Sequence, residues 1–243
     1  MEPGEYQLMD EAEDGMWWYR ALHAGVLDVL DRNRAAGPLL DAGCGTGGFL
    51  ARLREARPDD GAIGLEYKPE AAARARTKAG VPVAVGSVNA VPFADASFGC
   101  VVSLDVLCHA AVEPDRALAE FRRVLQPGGE VVLNLPAFQW LFSAHDVRVH
   151  TSRRYTAGGV RAMLEAAGFS SVRARYWNSL LFPLMVVQRK VLARGTDHRS
   201  DVAVPPAWLN RSFHAATALE RRLAAAGLAY PAGGSVLAIA TRD

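Results

Sequence analysis

The sequence predicts an α/β fold, a parallel and doubly wound sheet flanked by helices. Three observations predict it. The apolar run Pro38-Leu39-Leu40 ends in Asp41, passes through Gly43-Cys44-Gly45-Thr46-Gly47-Gly48, and takes up helical spacing at Phe49-Leu50-Ala51-Arg52-Leu53. Cys100-Val101-Val102-Ser103-Leu104 is a near-continuous apolar run, as a strand covered on both faces requires. Around these two stretches, strand and helix patterns alternate, and strands joined through helices pair in parallel.

In chain order, residues 5–36 read as one helix. Trp17, Trp18, Leu22, Val26, Val29 and Leu30 recur at helical spacing and Gly37-Pro38 ends it. Ala62 to Tyr67 is the second strand, and Glu66 stands at its end. Pro69 to Lys78 is a helix with proline in its first turn. Val81 to Gly86 is a third strand. The fourth strand ends at Asp105. A helix over Pro114 to Leu125, a Gln126-Pro127-Gly128-Gly129 turn and a fifth strand over Glu130 to Leu135 follow. Phe138 to Tyr155 reads as a loop rich in aromatic and ionisable residues. Beyond it come a helix from Thr156 to Ala167 stopped by Gly168, and a strand over Ser171 to Trp177. An apolar-then-basic helix over Leu180 to Leu192, an amphipathic helix over Ala207 to Ala226 and a last strand over Ser235 to Thr241 complete the chain.

Composition narrows the function classes. Half of the 243 residues are apolar, 22% are charged and the net charge is +1, so no bulk electrostatic case exists for nucleic acid. Cys44, Cys100 and Cys108 lack metal-type spacing and are too few for a disulfide framework; no metal is expected. The acidic N-terminal stretch is unlike a signal peptide, and the longest apolar run, Leu180 to Val187, holds a proline. A cytoplasmic protein without an integral membrane segment is expected.

The glycine turn admits two cofactors. Gly43, Gly45 and Gly48 satisfy the dinucleotide pattern, whereas Gly43, Gly45 and Gly47 satisfy the pattern of S-adenosylmethionine (SAM) sites. Asp41 favours SAM. A pyrophosphate is repelled by a carboxylate two residues before the turn, while the ammonium and sulfonium of SAM are attracted. Glu66 suits the ribose hydroxyls of either ligand. Asp41, Glu66 and Asp105 all fall at strand carboxyl ends, the edge where such sheets bind ligands.

Together these residues resemble the class I SAM-dependent methyltransferases. The resemblance rests on Leu39 to Gly47, Gly64-Leu65-Glu66, Val91-Pro92-Phe93 through Asp105, and Arg123-Val124-Leu125-Gln126-Pro127-Gly128-Gly129. It covers residues 38–136. The outer motifs Trp17-Trp18-Tyr19-Arg20, Ser143 to Asp146 and Arg153 to Thr156 resemble a bacterial small-molecule subgroup. The resemblance implies a Rossmann-like seven-stranded sheet in order 3-2-1-4-5-7-6 with strand 7 antiparallel. It implies one domain over 1–243: a helical lid (1–36), a SAM-binding core (38–136), then substrate-side elements and the last strands (137–243). It implies that Asp41, Gly43, Cys44, Gly45 and Gly47 lie against the methionine part of SAM. Glu66 then holds the ribose, Tyr67, Ser87 and Val88 flank the adenine, and Asp105 and Val106 stand near the sulfonium. Ser87 departs from the aspartate common in the family, which shifts adenine recognition towards apolar contacts from Tyr67 and Val88.

Methyl transfer from a sulfonium depends mainly on placing the acceptor about 3 Å from the methyl group and excluding water. An acceptor that carries a proton also needs a base, for which His145 and His109 are the candidates, with His150 nearby. Trp17, Trp18, Trp140 and Trp177 are candidate walls for an apolar or aromatic acceptor. Arg153 and Arg154 suit an acidic substrate or a neutralising contact with Asp146. Other readings are a protein of this fold that binds SAM or S-adenosylhomocysteine (SAH) without methylating, and an NAD-dependent oxidoreductase, against which Asp41 argues. Arg189, Lys190 and Arg194 after the apolar Leu180 run raise a peripheral membrane contact. The oligomeric state is left open.

Overall fold

The computed structural model describes residues 3–33, 37–192 and 204–243. The ends of the expected 1–36 lid at 1–2 and 34–36, and Arg194, lie outside the described residues. One sheet holds β1 (Leu39–Ala42), β2 (Ala62–Glu66), β3 (Val83–Val85), β4 (Phe98–Leu104), β5 (Leu125–Pro136), β6 (Phe169–Trp177) and β7 (Ser235–Arg242). Its order is β3-β2-β1-β4-β5-β7-β6. β1 pairs in parallel with β2 and β4, while β7 runs antiparallel between β5 and β6. This is the Rossmann-like sheet expected.

The helices are α1 (Pro3–Ala12), α2 (Trp17–Asn33), α3 (Gly48–Ala56), α4 (Pro69–Ala79), α5 (Pro114–Val124), α6 (Ala144–Arg148), α7 (Ala157–Ala166), α8 (Phe182–Val187) and α9 (Ala207–Ala225). Side chains alternate across a strand, so each central strand serves both faces. Leu40, Val101, Val131 and Leu133 pack with Leu118 and Phe121 of α5 and with Val160 and Leu164 of α7. Leu39, Cys100, Val102 and Val132 pack with Val26 of α2, Leu50 and Leu53 of α3, and Ala72, Ala75 and Ala79 of α4. Each fully buried Leu or Phe contributes about 1.5–3 kcal/mol, so truncating the buried Phe121 would cost roughly 3–5 kcal/mol. Parallel pairing then sets the carboxyl ends of β1, β2 and β4 along one edge.

Several local expectations need correction. The helix expected over 5–36 is two helices. The Gly15 and Met16 amides both donate to the Ala12 carbonyl, the chain turns, and helix resumes at Trp17. The Gln126–Gly129 turn lies inside β5, where pairing with β4 shifts from Leu125 to Glu130. The stretch 138–155 is not all loop, since it holds a 3-10 turn at Gln139–Leu141 and α6, which Ser143 and Asp146 cap reciprocally. After α8 the chain makes a π-helical turn over Gln188–Leu192. No helix among the described residues is long and apolar enough to cross a membrane.

Candidate active site

The carboxyl edge of the sheet opens into a cavity of about 1240 Å³, above the roughly 300–1,000 Å³ of ordinary small-molecule pockets. Asp41, Gly43, Cys44, Gly45, Glu66, Tyr67, Ser87, Val88, Asp105 and Val106 all line it. Gly47 is absent from this wall. Its φ of 92° lies in the left-handed region, and an added Cβ would stand 2.7 Å from the Ala75 Cα. Gly47 thus lets α3 approach α4 closely, and it shapes the turn from behind.

Backbone contacts hold the turn. The Gly43 and Cys44 amides donate to the Leu65 carbonyl at 2.8 and 3.0 Å, and the Ser103 hydroxyl donates to the Ala42 carbonyl at 2.8 Å. The Glu66 carboxylate accepts from the Gly45 and Lys68 amides, each at 3.0 Å. Asp41 is buried, and its Oδ2 has no hydrogen-bond partner among the described residues. Burial first, then the charges of Glu66 and Glu13, push its carboxyl up to about 8. Burial likewise pushes the Cys44 thiol far up, so it is no nucleophile. Ser87 Oγ already accepts from the Asn89 amide at 3.1 Å, which leaves it one lone pair for a ligand.

Asp105 follows β4 with a φ of 55°. Burial pushes its carboxyl up to about 7, against donation from Asn134 and the nearby Arg154 charge. Asn134 is fully buried, donates to both Asp105 carboxylate oxygens, and accepts from the Trp177 indole at 2.7 Å. Thr46 and Lys78 reach the buried Glu13, just after α1, at 2.8 and 2.6 Å. Met9 of α1 lies against Gly45. The N-terminal segment thus sits on the turn.

Another wall is apolar: Trp17, Trp18, Leu181, Met185, Leu209 and Phe213 line it. Trp17 packs edge-on against Phe213, with centroids 5.3 Å apart. Trp140 and Trp177 are outside this wall. Trp140 is half-exposed beside Phe138 and Phe182, with Lys190 5.9 Å from its ring centre. Trp177 lies behind Trp18 and turns its N–H to Asn134.

Among the described residues, four histidines line the cavity: His23, His109, His145 and His150. His109 Nδ1 is buried with no hydrogen-bond partner among the described residues, and burial holds the ring below its ordinary pKa. Burial takes His23 down to about 3, between Tyr19 and Phe49. Arg154 is spent on structure. It grips the Asp146 carboxylate at 2.8 and 3.2 Å and donates to the Ala137 carbonyl. Burial alone would raise the Asp146 carboxyl; Arg154, Arg189 and the Ser143 amide outweigh it and hold the group ionised. Arg153 is off the wall and donates to the Val112 carbonyl at 2.8 Å. Of the two arginines, Arg154 forms the neutralising contact with Asp146, and Arg153 does not reach it.

Residues 40–133 match the family profile described as "Methyltransferase domain". A putative methyltransferase of Encephalitozoon cuniculi is 32% identical over 174 residues, covering 68% of this chain and 76% of that protein. A ubiquinone/menaquinone biosynthesis C-methyltransferase of Rubrivivax gelatinosus is 31% identical over 174 residues, covering 61% of this chain and 68% of that one. The chain belongs to the class I SAM-dependent methyltransferases. A SAM-dependent methyltransferase from Thermotoga maritima shares the fold, with a TM-score of 0.63 at 19% identity over 99% of this chain and 95% of that one. Other relatives are longer than the match, and this chain spans 45%, 29% and 48% of three of them.

SAM is the cofactor of this methyltransferase family, and the residues present fit it. The orphaned, buried Asp41 oxygen beside Glu66 calls for a cation, and SAM carries an ammonium and a sulfonium. NAD would bring two phosphates to the same acids. The cavity and its supports also include residues the sequence patterns passed over. Asn134 was visible as a polar residue inside an apolar strand. Glu13 sits in a run of acids, and His23 falls on an ordinary helix face, so neither carried a signal.

Proposed function

We propose that this methyltransferase transfers the SAM methyl group to an apolar small molecule. One observation carries the reading: a single cavity joins the acids at the strand ends to the wall of Trp17, Trp18, Leu181, Met185, Leu209 and Phe213. Asp41 would take the ammonium and Glu66 the ribose hydroxyls, with Tyr67, Ser87 and Val88 flanking the adenine. Gly43, Cys44 and Gly45 would lie along the methionine part, with Asp105 and Val106 near the sulfonium. SAM, when bound, supplies an electrophilic methyl group. The residues of the chain do the rest. The N-terminal helices and aromatic wall exclude water and hold the acceptor in line. His109, neutral and with a free ring nitrogen, accepts the proton that an acceptor O–H or N–H gives up; His145 is the second candidate. Trp140 and Trp177 are left out of the acceptor site on their placement.

Isothermal titration with SAM and SAH tests the cofactor half. Wild type should bind both, and Glu66→Ala should lose roughly 10- to 100-fold in affinity, as loss of a charged hydrogen-bonding group does. A folded wild type that binds neither sinks the reading. Transfer of label from methyl-labelled SAM to a lipid-soluble extract tests the acceptor half. A protein that only binds SAM or SAH moves no label. His109→Ala should lower turnover roughly 100-fold or more at unchanged SAM affinity.

A further inference from the structure

The exposed face of α9 carries apolar side chains and cations and, among the described residues, no exposed carboxylate. Trp208 is 69% exposed and Leu219 51% exposed. Helical spacing sets them on one face, with Ala215 between them and Arg211, Arg222 and Leu223 flanking. The single acid of α9, Glu220, is buried and caps the Ser179 and Leu180 amides at 2.7 and 2.9 Å. Arg221 is turned aside to pair with Asp28. This face also adjoins the cavity. Leu209, next to Trp208, lines the cavity, and so does Leu184 of α8, itself half-exposed beside the exposed Val187 and Lys190.

We propose that this face of α9, with the outer edge of α8, seats the protein on an anionic lipid surface. The inference rests on the reading of an apolar acceptor, because such a molecule dissolved in the bilayer would reach the cavity between α8 and α9. The charge pattern selects the occupant. Interfacial helices combine Trp and Leu with Lys and Arg, and each cation near an anionic surface adds to the attraction. A second copy packed on a two-fold axis through this face would bring a second Arg211 and a second Arg222 into the seam, with no exposed acid of α9 to meet them.

Co-sedimentation with vesicles tests it on the full chain without SAM, so that its outcome is separate from that of methyl transfer. One vesicle set mixes phosphatidylglycerol with phosphatidylcholine, and the other is phosphatidylcholine alone. The protein should bind the anionic set, more weakly as salt rises. Arg211→Glu with Arg222→Glu should weaken binding about 30-fold or more, the loss expected for two cations at about 1 kcal/mol each. Trp208→Ser with Leu219→Ser should abolish binding while the circular dichroism spectrum and SAM affinity stay as in wild type. A folded wild type that stays in the supernatant with both vesicle sets overturns the proposal. So does light scattering that shows a dimer which the Trp208 and Leu219 variant converts to monomer, since the face would then belong to a second copy.

Discussion

Asn134 donates its amide to both oxygens of the Asp105 carboxylate, each at 3.0 Å, while its own carbonyl accepts the Trp177 indole N–H. The indole can only donate, so it fixes which end of the Asn134 amide faces Asp105. Trp177, which lies behind the cavity wall, thereby orients an acid at the cofactor end.

Donation from Asn134 holds the Asp105 carboxyl down to about 7 against burial. Asn134→Leu should therefore push it higher and move the pH dependence of SAM binding to the alkaline side. Affinity at neutral pH should fall roughly tenfold, the scale of one lost bond to a charged group. Trp177→Phe keeps the ring beside Trp18 and removes only the donor, so it should shift the profile the same way and less far. Titrations of SAM binding at several pH values check both. Superimposable profiles would reduce the chain to packing.

The fold was legible because its signals are local and repeated. Alternating patterns, Pro69 opening α4 and Thr156 capping α7 all name their elements in sequence. The acids Asp41, Glu66 and Asp105 were legible because parallel topology turns strand ends into one edge. The acceptor wall was less so. Trp140 and Trp177 share a residue type with Trp17 and Trp18, but which side of a loop or strand faces the cavity depends on packing between elements distant in sequence. The break between α1 and α2 was hidden because helical patterns lie on both sides of it. Glu13 gains its role only when α1 folds back onto Thr46 and Lys78.

Asp41 couples pH to stability. Its folded pKa of about 8 lies above the roughly 3.9 of an unfolded aspartate. Over that interval the folded state keeps a proton that the unfolded state has lost, so stability falls as pH rises from about 4 to about 8. Asp41→Asn removes this term. The variant should melt several degrees above wild type near pH 8 in the absence of SAM and bind SAM at least tenfold more weakly. SAM binding to wild type at neutral pH should release a proton from Asp41, seen by calorimetry in buffers of different ionisation enthalpy. The Asp41→Asn variant should lack that contribution.

Gly45 and Gly47 share one turn but meet different neighbours. A Cβ on Gly47 would meet the Ala75 backbone, which cannot yield, whereas a Cβ on Gly45 would meet the flexible end of Met9. Gly47→Ala should thus cost roughly 2–4 kcal/mol of stability, from left-handed strain plus the clash. Gly45→Ala should cost about 1 kcal/mol of stability and act mainly on SAM affinity, because Gly45 lines the cavity. Thermal melts and SAM titrations on the two variants check the division. Equal stability losses would refute it.

Glu13 is buried, and its carboxylate accepts from the Thr46 hydroxyl and from Lys78, which also pairs with Asp10. Burial raises the Glu13 carboxyl, and donation from Lys78 and Thr46 opposes it. Lys78→Met removes the main opposing partner, so the carboxyl should rise further. A folded-state pKa above the unfolded value costs stability as pH rises through the interval between them. The variant should therefore be weakest at neutral and alkaline pH, by about 1–3 kcal/mol, and recover towards acid pH. Adding Glu13→Gln removes the buried charge and should restore most of the loss, a non-additive result that marks a direct pair. In Lys78→Met alone, the backbone of α1 should exchange hydrogen faster and SAM should dissociate faster, because α1 holds Met9 against the Gly45 turn. An unchanged exchange rate in α1 would show that the segment is held by its apolar contacts and not by Glu13.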